Sequence, residues 1–139
     1  MVSIGMASCK LGVGGAKAVA EMASVMGSLT SLDLSSNSLC SVTETGYIKA
    51  SKVQGASFNV GDKVMYEGKE MIVSRAKDSD GDIKMTNLPD LSGVNAIADA
   101  LRVNGSMTRL DVRLNLLGEE GEAVLRQAIE GRSGFEVVL

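Results

Sequence analysis

The sequence predicts an α/β fold in which parallel strands alternate with helices and a small β-rich segment interrupts the series. A segment that begins at Leu29 has the pattern L-x-x-L-x-L-x-x-N-x-L, and the same pattern returns at Met107. A related segment precedes both of them and consists of Met1, Ile4, Met6, Cys9 and Leu11. The interval from Met1 to Leu29 is one repeat of about 28 residues. The interval from Leu29 to Met107 is longer by the length of segment 41–90, so the chain is predicted to hold three such repeats and one insertion.

The strands are predicted from alternation within the repeated pattern. Leu32 and Leu34 point to one side of an extended chain and Asp33 points to the other. Leu110 and Val112 hold the same apolar positions in the segment that begins at Met107. Each strand therefore has one face for a core and one face for solvent.

A polar residue follows each predicted strand. Asn37 and Asn115 hold this position in two repeats, and Cys9 holds it in the first. An asparagine side chain can bond turn backbone that no strand ladder reaches. We therefore predict that Cys9, Asn37 and Asn115 form a structural ladder.

A helix is predicted after each of these turns. A glycine stands near its start, at Gly15, Gly93 and Gly121, where it suits a tight turn into the helix. Apolar residues then recur at helical spacing: Ala16, Val19, Ala20, Ala23 and Met26 in the first helix, and Val94, Ile97, Ala98 and Leu101 in the second.

The third repeat is predicted to end the series. Two of its columns that are apolar in the earlier helices hold Glu122 and Arg126, which indicates a polar terminal cap. Phe135 then restarts the strand pattern in the Leu29 column, with Val138 in the Leu32 column. The first repeat has no polar cap, which predicts an exposed edge and either self-association into a homo-oligomer or excision from a longer array of repeats.

These repeats resemble the leucine-rich repeat family, in its ribonuclease-inhibitor-like subclass. The resemblance covers residues 1–40 and 91–139. It implies a short solenoid with parallel strands on the inner, concave side and helices on the outer side. In that family the concave face commonly binds protein ligands, and cysteine at the asparagine position is a tolerated variation.

The insertion, residues 41–90, is predicted to be a β-meander. Its strands are Lys63–Tyr66, Glu70–Arg75 and Ile83–Leu88, and Tyr47–Ile48 with Lys52–Val53 is a candidate for a fourth. Val60-Gly-Asp-Lys-Val64 followed by Asp80-Gly-Asp-Ile83 resembles small SH3-like barrels of the KOW or Tudor kind. Such barrels often bind RNA, peptides or modified side chains. The aromatic residues Tyr47, Phe58 and Tyr66 are predicted to belong to its core.

Composition excludes several function classes. The 139 residues include no histidine, so no Ser-His-Asp triad and no histidine metal ligand can exist. The net charge of -3 argues against a general nucleic-acid surface. Two cysteines, Cys9 and Cys40, are too few for a disulfide scaffold and are predicted to be small buried hydrophobes. With no signal peptide or membrane span evident, a cytoplasmic protein is expected.

Two motifs resemble ligand-binding loops but are better explained by a solvated turn and by the repeat pattern. Asp78, Asp80 and Asp82 alternate as in a calcium loop, but the glycine and the closing glutamate of that loop are misplaced, which favours a solvated turn. Gly12–Lys17 lacks the full phosphate-loop and dinucleotide patterns, and the repeat already accounts for its glycines. We therefore predict no catalytic residues, no metal and no cofactor.

The exposed face of the strands carries the main functional prediction, a non-catalytic protein-protein interaction module. Its predicted contact residues are Ser31, Asp33, Ser35, Arg109, Asp111 and Arg113, with Glu136 as an extension. The competing interpretation is that these charges form ion pairs that keep the sheet soluble.

Two alternatives remain open. The insertion could be the working part, a reader of nucleic acid or peptide on an inert repeat scaffold, with positive charge from Lys49, Lys52, Lys63, Lys69, Arg75, Lys77 and Lys84. The chain could also be a self-assembling structural unit.

Overall fold

The structure is a computed structural model, and it describes residues 2–139. The chain forms two compact units, one of Met1–Ser41 with Pro89–Leu139 and one of Val42–Leu88. The sequence placed these divisions after position 40 and after position 90, close to where they fall. Met1, which was predicted to hold the Leu29 position of the first repeat, lies outside the described residues.

The two units are built from eight strands and three helices among the described residues. In chain order these elements are β1 (Val2–Gly5), α1 (Gly12–Val25), β2 (Leu29–Asp33), β3 (Ile48–Lys49), β4 (Lys63–Tyr66), β5 (Lys69–Arg75), β6 (Asp82–Asn87), α2 (Ser92–Val103), β7 (Arg109–Asp111), α3 (Gly118–Ala128) and β8 (Glu136–Val138). A short 3₁₀ turn, Ala50–Lys52, follows β3.

The first unit contains a parallel sheet in the order β1-β2-β7-β8. Ile4 lies opposite Leu32, and Leu32 lies opposite Leu110, so the strand register follows the columns of the sequence repeat. Parallel neighbours need a crossover, and α1, α2 and α3 each provide one between consecutive strands of this sheet. The predicted α/β class is confirmed.

The last strand departs from the predicted register. The sequence placed Val138 in the Leu110 column, but Val137 lies opposite Leu110 and Val138 lies opposite Asp111. The final repeat is therefore shorter than predicted by a single position, and the prediction for Val138 is wrong. The connection from α3 to β8 contains two glycines with left-handed backbone, Gly131 and Gly134, with φ of +82° and +76°.

The helices cover one face of this sheet and bury its leucines. Leu32 and Leu110 line the same interior as Ala20 of α1 and Ile97 of α2. Gly93 allows α2 to pack closely, because a Cβ atom there would lie 2.8 Å from the Ala16 Cβ atom and 3.1 Å from a backbone oxygen of α1. The glycine at this position of the repeat therefore allows close packing of two helices as well as the turn into the helix.

The third helix is more polar than the other two, as the sequence predicted. Glu122 and Arg126 replace the apolar residues of the earlier columns, and their side chains form an ion pair at 3.7 Å. Glu119 and Glu120 occupy its first turn, where acidic side chains complement the helix dipole.

The second unit is an antiparallel sheet in the order β3-β6-β5-β4. Its core consists of Ala50, Val53, Val64, Val73, Ile83 and Met85, and Phe58 and Tyr66 pack against it. Tyr47, also predicted to be core, is 53% exposed, so that prediction is wrong. Ile48 packs against the core instead, and strand alternation turns its neighbour outward.

Candidate functional site

The face of the parallel sheet away from the helices carries the predicted contact residues. The register places Ser31 beside Arg109, Asp33 beside Asp111, and Arg109 beside Glu136. Ser35 and Arg113 continue the same two strands past their ends, and the Ser36 amide donates to the Arg113 carbonyl. We call this surface, defined by Ser31, Asp33, Ser35, Arg109, Asp111, Arg113 and Glu136, the strand face.

One member of the strand face is not available to a partner. Asp111 was predicted as a contact residue, yet only 1% of its surface is exposed. The Arg113 guanidinium covers it in a bidentate arrangement, with its Nε donating to Oδ1 at 3.0 Å and its Nη2 donating to Oδ2 at 2.7 Å. Asp111 therefore anchors an arginine and is not itself a contact residue, which corrects the prediction.

The Asp111–Arg113 pair is fully ionised at neutral pH. Hydrogen bonds from the Arg113 side chain are the main cause that lowers the pKa of Asp111, and the Arg113 backbone N–H and the charges of Arg113 and Arg109 act in the same direction. Burial opposes them. The same hydrogen bonds raise the pKa of Arg113.

Arg109 is held more loosely than Arg113. Its nearest carboxylates, those of Asp111 and Glu136, are both 3.8 Å away, beyond hydrogen-bond distance. The side chains of Arg109 and Arg113 are 39% and 56% exposed. Two guanidinium groups thus share one buried carboxylate and retain donors that face solvent.

Asp33 has the equivalent place one strand away but binds a different partner. Its Oδ1 accepts hydrogen bonds from the Ser35 amide at 3.0 Å and the Ser35 hydroxyl at 2.7 Å. Asp33 and Ser35 therefore satisfy each other. Ion pairing within the strand face is present at Asp111 and absent in this form at Asp33, so the ion-pair interpretation holds for only part of these charges.

The asparagines form hydrogen bonds between successive repeats. The Asn37 Oδ1 accepts from the Cys9 amide at 2.8 Å, and its Nδ2 donates to the Met6 and Leu34 carbonyls. The Asn115 Oδ1 accepts from the Asn37 amide, also at 2.8 Å, although the insertion separates the two residues along the chain. Both asparagines are buried and fully satisfied.

The two cysteines differ in their surroundings. Cys9 is exposed, so its prediction as a buried hydrophobe is wrong. It lies after the edge strand β1, where its thiol donates to the Ala7 carbonyl at 3.5 Å. Cys40 is completely buried, as predicted, and burial with the nearby Asp90 charge raises the pKa of its thiol to about 11.

Sequence reasoning missed a second set of contacts between repeats, at the ends of the helices. The buried Asn104 donates from Nδ2 to the Ala23 carbonyl at 2.8 Å, and its Oδ1 accepts from the Met107 amide. In the next repeat, Arg132 donates to the Leu101 carbonyl at 2.8 Å. Ala23 and Leu101 share a column, as do Asn104 and Arg132. Because the residue type changes from asparagine to arginine at this position of the repeat, the sequence pattern did not reveal these contacts.

The aspartates of the second unit behave as a turn. Carboxylate oxygens of Asp78, Asp80 and Asp82 lie within 4.8 Å of one another. The Asp78 carboxylate accepts hydrogen bonds from the amides of Asp80 and Asp82, each at 2.9 Å, and these bonds lower its pKa. Asp82 also pairs with Lys49 at 3.0 Å. These contacts account for the carboxylates of Asp78 and Asp82.

The exposed Tyr47 has two cations over its ring, Lys84 at 4.8 Å and Arg75 at 5.7 Å from its centroid. Lys84 also pairs with Glu44 at 3.4 Å. The basic residues of this unit that were candidates for nucleic-acid binding are thus partly neutralised by acidic neighbours.

No protein-family model matches the sequence, and no solved structure matches the chain. Among residues 2–139, no helix combines the length and the apolar character needed to cross a bilayer.

Proposed function

We propose that the protein is a non-catalytic protein-binding module built as a short leucine-rich-repeat solenoid of the ribonuclease-inhibitor-like kind. The proposal is supported by the sequence repeat, by the parallel register that follows it, and by the Asn37–Asn115 hydrogen bond between repeats. In such a solenoid the strand face is the concave surface, and a protein partner binds there.

The observation that carries the proposal is the shared carboxylate beneath Arg109 and Arg113. The buried Asp111 carboxylate accepts two hydrogen bonds from the Arg113 guanidinium, at 3.0 and 2.7 Å. The Arg109 Nη2 atom lies 3.8 Å from the Oδ2 atom of the same carboxylate. An arginine whose rotamer is already fixed loses less conformational entropy when it binds. Arginine is also among the residues that dominate binding energy at protein interfaces. The strand face therefore offers one pre-organised donor, Arg113, with the more loosely held cation of Arg109 beside it.

The test compares capture of proteins by the wild-type chain and by two charge-matched variants. The Arg109→Ala/Arg113→Ala variant removes the two exposed cations of the strand face. The Arg102→Ala/Arg126→Ala variant removes two cations from α2 and α3, where they pair with Asp99 and Glu122. We expect at least one captured protein to be lost from the first variant and retained by the second. Equal capture by all three forms would refute the proposal.

A second candidate function is the binding of single-stranded nucleic acid or peptide by the second unit. The exposed Tyr47 with Arg75 and Lys84 beside it favours this alternative, because stacking on an aromatic ring combined with positive charge is a common mode of single-strand recognition. Anisotropy of a labelled oligoribonucleotide with the full chain at low salt tests it. Binding that weakens with salt and with Tyr47→Ala would support it, and no binding would remove it.

Self-assembly remains a third prediction. In the parallel sheet of the described residues, β1 and β8 are the edge strands, and each has one unpaired side. A second copy is the partner that pairing of these edges would recruit. Light scattering over a concentration series decides between a constant monomer and association.

A further inference from the structure

Asn104 and Gly105 form the only Asn-Gly dipeptide of the sequence, and they begin the connection from α2 to β7. The backbone nitrogen of the residue after an asparagine can attack the side-chain amide of that asparagine. Glycine hinders this attack least because it has no Cβ atom. Every other asparagine of the chain is followed by a residue that has one. The chemistry of the sequence therefore singles out Asn104.

The fold holds the Asn104 side chain away from this reaction. Its Nδ2 donates to the Ala23 carbonyl at 2.8 Å and to the Met26 carbonyl at 3.2 Å. Its Oδ1 accepts from the amides of Ser106 at 2.9 Å and Met107 at 3.1 Å. Only 4% of the residue is exposed. Because both ends of the amide group are bonded and shielded from water, the Cγ atom cannot turn toward the next backbone nitrogen.

The connection that carries Asn104 nevertheless lies at the surface. Gly105 is exposed, and a Cβ atom built there would meet nothing within 4 Å. The Ser106 hydroxyl donates to the Gly27 carbonyl and is a further bond from this connection to the preceding repeat. Separation of these groups, either locally or on unfolding of the whole unit, frees the Asn104 side chain.

We propose that Asn104-Gly105 is a self-modification site, protected while the first unit is closed and deamidated when the contact at Asn104 opens. The Gly105 nitrogen forms a bond to the Asn104 Cγ atom and loses its proton. The side-chain nitrogen takes up that proton and leaves as ammonia. Water then opens the cyclic imide at either carbonyl, which gives aspartate or isoaspartate. The reaction consumes water and releases ammonia, and it needs no oxidant and no cofactor.

The product cannot restore the contact between repeats. A carboxylate at position 104 has no N–H group, so the hydrogen bonds to the Ala23 and Met26 carbonyls are lost. A negative charge then faces these carbonyl oxygens in a buried place, which is unfavourable. Isoaspartate also carries the main chain through its Cβ atom and displaces the residues that follow. Deamidation therefore makes a reversible opening permanent, whatever the strand face binds.

Peptide mass spectrometry can follow the modification of each asparagine in buffer and in urea that unfolds the chain. Both incubations have the same mildly alkaline pH, which favours loss of the Gly105 proton. In urea we expect Asn104 to be modified faster than every other asparagine. In buffer its modification should be at least about a hundredfold slower than in urea, because only the open population reacts.

Two variants separate the chemistry from the opening. Gly105→Ala should keep the stability of the wild-type chain, since open space surrounds its Cβ position, and should slow the reaction in urea by about tenfold. Ser106→Ala removes the hydroxyl that bonds Gly27 but keeps the amide that bonds Asn104. It should raise the rate in buffer by about two- to tenfold and leave the rate in urea unchanged.

The consequence of the modification is tested by thermal unfolding of Asn104→Asp, which carries one product of the reaction. We expect its midpoint to fall by about 5 °C or more. Asn95→Asp makes the same change of charge at an exposed position of α2 and should not lower the midpoint.

Three results would each overturn the inference. Equal rates for Asn104 in buffer and in urea would show that the fold does not protect it. A rate in urea that is no faster than that of the other asparagines, or that Gly105→Ala does not change, would show that the dipeptide is not the reactive site. An Asn104→Asp chain as stable as wild type would show that the contact tolerates the product.

Discussion

Replacing Asn115 with alanine should destabilise the first unit more than any other single change in the asparagine ladder. The Asn115 side chain is buried, with 2% of the residue exposed, and all of its hydrogen bonds go to backbone groups. Its Oδ1 accepts from the amides of Asn37 and Leu39 at 2.8 and 3.3 Å, and its Nδ2 donates to three carbonyls, those of Leu34, Val112 and Arg113, at 2.9, 2.8 and 3.2 Å.

The size of the effect follows from these contacts. Alanine leaves the amides of Asn37 and Leu39 and the Val112 carbonyl without their partner, and each such group costs about 1–3 kcal/mol. The Leu34 and Arg113 carbonyls keep a second donor, the Asn37 side chain and the Ser36 amide. A water molecule that fills the space restores part of this, because the site is polar. We therefore expect the free energy of unfolding to fall by about 3–5 kcal/mol, which is a large share of the stability of an ordinary domain.

Two further variants test whether the loss of unfolding free energy depends on how deeply the asparagine is buried. Asn37→Ala breaks the same kind of bonds, but one partner is the amide of the exposed Cys9, which water can reach, so a smaller loss is expected. Asn95→Ala on the exposed side of α2 is the control and should change the free energy of unfolding by less than about 0.5 kcal/mol.

The measurement is urea unfolding followed by two signals. Far-UV circular dichroism reports the helices, which all lie in the first unit, whereas tyrosine fluorescence reports Tyr47 and Tyr66 of the second. The Asn115→Ala loss should be seen in the helical signal. A loss below about 1 kcal/mol, or one no larger than that of Asn95→Ala, would refute the account of the ladder.

Three further predictions concern packing, thiol access and charge. Gly93→Ala should lower the free energy of unfolding by about 1–3 kcal/mol, since its Cβ atom would lie 2.8 Å from a side-chain carbon of α1. The control is Gly14→Ala, which has open space around it and should be near neutral or stabilising in thermal melts. A thiol reagent should label Cys9 in the native chain and reach Cys40 only on unfolding, as mass spectrometry would show; equal labelling contradicts this. The arginine neighbours of Asp111 lower its pKa, so the difference in unfolding free energy between wild type and Asp111→Asn should be constant from about pH 5 to 8. This difference should shrink below about pH 4, and a difference that grows there would contradict the prediction.

Periodicity was enough to place the strands and helices of the first unit. The columns of Leu32 and Leu110 predicted which strands lie side by side, because a repeat of fixed length brings equivalent residues into register. The same logic failed at Val138, because the last repeat is shorter than predicted by a single position. Such a small change does not disturb the apolar pattern of a short strand, so the pattern could not detect it.

The sequence also placed the residues of the strand face but not their relationships. Alternation alone put Arg109, Asp111 and Arg113 on the face away from the leucines. Only the tertiary structure showed that Asp111 is covered by the guanidinium groups beside it, because side-chain rotamers are set by contacts in space. Asn104 and Arg132 were missed for another reason: they make equivalent contacts between repeats but differ in residue type.

The sequence by itself determined the alternation of strand and helix, the position of the insertion and the asparagine ladder, since each depends on local spacing along the chain. The tertiary structure decided which charges are buried and which cysteine is exposed. Exposure depends on what the rest of the chain brings to a surface. A pattern of residue types fixes which face a side chain takes but not whether that face is covered.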